Sequence, residues 1–98
     1  MGRNAMEELL HALRKTEIFT EWQQRYRLEV FLKETEIMIE ITPFPPDTYD
    51  SIREEMMDKE IKRMETELSE QKVPMRIDHE ACSLFADTFC LYILPQDT

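Results

Sequence analysis

The sequence predicts an α+β two-layer sandwich: an antiparallel sheet of about four strands with two helices on one face, in the order α-β-β-α-β-β. Three observations lead there. Apolar residues fall at every second position in two adjacent runs between Tyr26 and Ile41, they fall at helical spacing from Tyr49 to Leu68, and short apolar runs follow near the C-terminus. The 98 residues, 42% of them hydrophobic and nine aromatic, supply one core and predict a single compact domain over 1–98.

The first element starts near Asn4, which with Glu7 forms a capping-box-like pair, and Met6, Leu9, Leu10 and Leu13 continue it as a helix over 5–15. Residues 16–24 fit two periods, since Ile18, Thr20 and Trp22 alternate while Ile18 and Trp22 are also i, i+4; a helical continuation or turn is the better fit. The period then becomes two. Tyr26, Leu28, Val30 and Leu32 share one face of a strand opposite Arg25, Arg27, Glu29 and Lys33, and after Lys33-Glu34-Thr35-Glu36 the alternation of Ile37, Ile39 and Ile41 with Met38, Glu40 and Thr42 completes an antiparallel hairpin.

Pro43-Phe44-Pro45-Pro46 ends that strand, because proline cannot donate to a ladder; a rigid connector with Phe44 against the core edge is preferred over a polyproline ligand. Asp47 is placed to cap a long helix over 48–71, whose face is Tyr49, Ile52, Met56, Met57, Ile61, Met64 and Leu68. Val73, Met75 and Ile77 alternate around Pro74, which predicts an edge strand. Thr88 to Leu94 is almost continuously apolar and predicts a buried final strand.

Composition removes several function classes. Twelve Lys plus Arg against twenty-one Asp plus Glu leave a net charge of −9 and argue against direct nucleic-acid binding. The single glycine is Gly2, so no glycine-rich loop can cradle a phosphate, and nucleotide- and dinucleotide-dependent chemistry has no backbone to work with. Tight type I′ hairpins are disfavoured for the same reason. No apolar run reaches the ~18 residues of a membrane span. The two cysteines, Cys82 and Cys90, and the lack of a charged-then-apolar leader fit a reducing cytoplasmic compartment, although a Cys82–Cys90 bridge remains open.

Asp78, His79, Glu80, Cys82 and Cys90, with His11, are the residue types of a zinc site, but one H-x-x-C with a distant cysteine lacks paired ligand elements. Cys82 as nucleophile with His79 or His11 as base would sit in acidic surroundings that oppose a thiolate, and Ser83, His79 and Asp87 name a triad without a strained elbow to present the serine. The expectation is therefore no catalytic, metal or cofactor site. Acidic pairs such as Glu34 with Glu36 read as solvated faces, and Glu55 with Lys59 as a helical i, i+4 pair.

Methionines would serve as adaptable filler in a core, but the long helix carries more apolar residues than one sheet face needs. Met56, Met57 and Ile61 on the helix, with Phe31 and Met38 on the polar faces of their strands, are the candidate partner-binding residues. They predict a small acidic interaction module, a regulator, adaptor or inhibitor without catalysis, that binds a protein partner and associates as a homodimer. The alternative is a nucleic-acid mimic that blocks a DNA- or RNA-binding protein, and the third reading is a metal- or thiol-dependent enzyme or sensor using His79, Cys82 and Cys90.

Overall fold

A computed structural model of the chain describes residues 2–43, 49–81 and 88–96. Helix α1 is Gly2–Lys15 and α2 is Glu17–Arg25; strands β1, Tyr26–Leu32, and β2, Ile37–Pro43, follow. Helix α3 continues without a break through Tyr49–Glu55, Met56–Glu60 and Ile61–Glu70, and β3, Met75–Ala81, and β4, Phe89–Pro95, close the chain. The sheet is antiparallel in the order β1-β2-β4-β3, so β2 and β4 are central and β1 and β3 are edges. The expected α+β architecture is present, with three helices among the described residues rather than two because 16–24 folds into a helix of its own. Among the described residues no helix is long and apolar enough to cross a membrane.

One cluster forms the core. Ile37, Ile39 and Ile41 of β2 lie level with Ile93, Leu91 and Phe89 of β4, and these six residues meet Met6, Leu9 and Leu13 of α1, Ile18, Phe19 and Trp22 of α2, and Met56, Met64 and Leu68 of α3. Alternation in the central strands therefore aims one set of side chains at the helix layer and the other set outward.

Several boundaries differ from expectation for local reasons. Helix α1 begins at Gly2, which places Asn4 inside the helix and not at its cap. The hairpin turns through Glu34 and Thr35 with Lys33 N–H donating to the Glu36 carbonyl at 2.9 Å; the only positive φ outside glycine among the described residues is at Lys72, so this is not a type I′ turn. β3 starts two residues later than expected because Val73 is spent on ending α3. Val73 N–H bonds to the Leu68 carbonyl and Lys72 N–H to the Ser69 carbonyl, the two hydrogen bonds of a Schellman cap, with Lys72 at φ 61° where glycine is usual. Asp47 and the Phe44–Pro46 connector lie outside the described residues.

The middle of α3 corrects the expected apolar surplus. Met56–Glu60 is a π-helical turn, closed by the Ile61 N–H donating to the Met56 carbonyl. The wider π-turn rotates the following residues back, so Met56 and Ile61, which an ideal α-helix would splay apart, come round to the same side as Met64 and Leu68. Met56 is 0% exposed and Ile61 7%, and both belong to the core and not to an exposed surface.

Candidate interaction surface

The outward side chains of the sheet form rows fixed by strand register. Phe31, Met38, Tyr92 and Asp78 lie in one row across all four strands, and Glu29, Glu40, Cys90 and Glu80 lie in the next. Arg27, Thr42 and Thr88 begin the row beyond, where the Thr42 and Thr88 hydroxyls are hydrogen-bonded at 3.0 Å. None of these residues belongs to the core cluster.

Within this face the apolar row is half open. Phe31 is 39% exposed, and Met38 and Tyr92 are half-buried. Carboxylates dominate the surroundings: Glu29, Glu40, Asp78 and Glu80, with Arg27 and Arg76 the only guanidinium groups in these strands on that side. Arg76 is committed to Asp78 at 3.4 Å. Tyr92 donates its hydroxyl to Glu80 at 2.7 Å, and this bond, with burial, pushes the phenol far above its ordinary range, so Tyr92 stays a neutral donor. Glu29 directly faces Glu40 across the β1–β2 pair, a like-charge opposition that costs stability unless something positive approaches.

Of the sequence-derived candidates, Phe31 and Met38 are brought together as cross-strand neighbours. Met57 is 39% exposed on α3, which packs on the other side of the sheet, so it does not join them. Tyr92 was missed because β4 reads as one apolar run; only the pairing of β2 with β4 reveals that Cys90, Tyr92 and Leu94 alternate outward from Phe89, Leu91 and Ile93.

Of the thiol and metal candidates, Glu80 and Cys90 are cross-strand neighbours, but the histidines stand apart from them. His79 is on the helix side of β3, stacked on Phe89 with centroids 5.7 Å apart, whereas Cys90 is buried and faces outward in β4. His11 is exposed on α1. Cys82, Ser83 and Asp87 lie outside the described residues, and among the described residues no three His, Cys, Asp or Glu side chains are grouped to hold a metal ion.

Elsewhere the polar groups hold the helix layer together. Lys15, Thr16, Glu17, Arg63, Glu67 and Gln71 line much of an open cleft of about 560 Å³ where the α1–α2 corner meets α3. Glu67 accepts from Glu17 N–H at 2.7 Å and Ile18 N–H at 3.0 Å, and Thr16 accepts from Phe19 N–H at 3.3 Å; together they cap α2. Gln71 donates to the Ala12 carbonyl at 2.9 Å near the end of α1. Arg63 binds Glu21 through two nitrogens and reaches Glu17 and Glu67 at 3.8 and 3.7 Å. At the π-turn, the buried Glu60 accepts from Arg25 at 3.1 Å, and the Arg25 guanidinium lies 5.0 Å from the Tyr26 ring centroid. These groups satisfy one another, so the cleft is a clamp between helices.

Compared with protein-family models, curated proteins and solved structures, the chain matches none.

Proposed function

We propose that the chain is a small acidic interaction module, a regulator, adaptor or inhibitor, which binds a protein partner through the outer face of its sheet and carries out no chemistry. The apolar row of Phe31, Met38 and Tyr92, bordered by Glu29, Glu40 and Glu80, is the observation that carries this reading. It suits a partner segment that alternates apolar side chains with Lys or Arg: burial of the row supplies affinity, and the carboxylates supply steering and orientation.

The test compares tagged protein with a Met38→Glu variant. Met38 is half-buried at the centre of the row and outside the core cluster, so the variant should keep its circular dichroism spectrum. A protein retained from nuclease-treated native lysate by the wild type in low and high salt, and lost by the variant, is the expected result. Equal retention by both would refute this surface. A nucleic-acid-binding protein released from the wild type by salt alone would instead favour charge mimicry by the −9 chain.

A further inference from the structure

We propose that β1 pairs antiparallel with β1 of a second copy of this chain, about a two-fold axis at Leu28, to give a continuous eight-stranded sheet. This surface is the strand edge; it shares Glu29 with the outer-face reading but does not need the Phe31–Met38–Tyr92 row to be bound. Among the described residues β1 is bonded only to β2, and its other side presents backbone groups with no described partner. Lys33 bonds to Glu36, which makes the odd-numbered residues of β1 the ones bonded to β2 and turns the N–H and C=O of Leu28, Val30 and Leu32 to the free edge. The N–H of Tyr26 is already given to the Trp22 carbonyl, but its carbonyl is not.

Side chains select the register. Edge-facing backbone requires even residues opposite even residues, which leaves three pairings with substantial overlap. Centring on Val30 opposes Arg27 to Lys33 of the second copy, and centring on Glu29 opposes Glu29 to itself. Centring on Leu28 opposes Arg27 to Glu29 twice, with Tyr26 level with Val30 on the helix side. Leu28 N–H then bonds to the Leu28 carbonyl of the other copy, and Val30 N–H to the Tyr26 carbonyl, each in both directions. Among the described residues, neither Arg27 nor Glu29 has an ion-pair partner within its own chain, and Glu29 faces Glu40, so the cross-copy pair supplies the missing positive charge. The other edge differs on this point: Arg76 and Asp78 of β3 are paired within the strand, and Glu80 is held by Tyr92.

A charge exchange tests this. Sedimentation of the wild type should give twice the 11.8 kDa chain mass. Arg27→Glu and Glu29→Arg should each create two like-charge contacts and weaken association at least tenfold, while the double variant Arg27→Glu/Glu29→Arg should restore it, with circular dichroism unchanged throughout. Hydrogen exchange adds a readout independent of these variants: the Leu28 and Val30 amides should gain protection as protein concentration rises. A wild type that sediments as a monomer at all concentrations, single variants that associate normally, or a double variant that stays monomeric would each overturn the register.

Discussion

Removing the Glu67 carboxylate should loosen α2 from the helix layer. Its two oxygens receive the Glu17 and Ile18 N–H groups, and the residue comes from α3, 49 and 50 positions away in sequence. Hydrogen bonds to a charged group contribute about 1.5–3 kcal/mol each when shielded, and loss of a helix N-cap costs about 0.5–2 kcal/mol. The Glu17 N–H is exposed and water can replace its partner, whereas the Ile18 N–H is part-buried; Glu67 itself is 21% exposed. Glu67→Ala should therefore cost about 2 kcal/mol and Glu67→Gln, which keeps one acceptor oxygen, about 1 kcal/mol. For a domain of this size each kcal/mol lowers Tm by roughly 4–8 °C. Urea denaturation followed by circular dichroism measures both variants, with Glu65→Ala as the control because Glu65 is exposed on the same helix. A Glu67→Ala loss within about 0.5 kcal/mol of that control, the scatter expected of ordinary surface substitutions, would refute the clamp.

Lys72→Gly should stabilise the protein by about 0.5–1 kcal/mol, because relief of a left-handed residue exceeds the added freedom of the unfolded chain; a lower Tm would contradict the Schellman geometry. Tyr26→Phe should leave stability unchanged or raise it by up to about 1 kcal/mol, since the buried Tyr26 hydroxyl has no hydrogen-bond partner among the described residues. A loss beyond that in thermal melts would mean that the hydroxyl is satisfied. The Arg63 hydrogen bond holds the Glu21 carboxyl below its ordinary value, so its contribution is present above about pH 4.3 and is lost as pH falls through the folded value. The stability gap between wild type and Glu21→Gln should narrow from pH 6 to pH 3; a constant gap would refute the pairing.

Elements whose signal is a repeat of side-chain types were legible in the sequence. Ile37, Ile39 and Ile41 announced both their strand and their buried face, and the proline run marked where that strand ends. β1 was only half legible: its alternation identified the strand, but burial declines from Tyr26 to Leu32 because it is an edge, and strand order is a property of long-range pairing. Ile61 was misplaced for a backbone reason. Apolar positions were projected on a 3.6-residue turn, and the π-turn restores Ile61 to the core line without any change in composition. Glu67 gave no signal at all, since nothing local to α3 indicates that one of its many acids caps another helix.

The scarcity of glycine links these features. A chain without glycine after position 2 must turn by other means, and among the described residues it does so by holding Lys72 left-handed, by turning Glu34 and Thr35 without positive φ, and by ending helices on side chains from distant elements. Thr16, Glu67, Gln71 and Arg63 are consumed in that work, as are Arg25 and Glu60 at the π-turn. Among the described residues of the sheet, the clamps leave uncommitted the Phe31–Met38–Tyr92 row, the opposed Glu29 and Glu40, and the backbone edge of β1. Opposed carboxylates beside exposed aromatic and aliphatic groups destabilise an isolated sheet; both proposed contacts bring positive charge to Glu29 or Glu40, and the outer-face contact also covers the Phe31–Met38–Tyr92 row. Neutralising the pair with Glu40→Gln should therefore stabilise the monomer while weakening recognition of a basic partner, a trade-off that a purely structural role for the face would not produce.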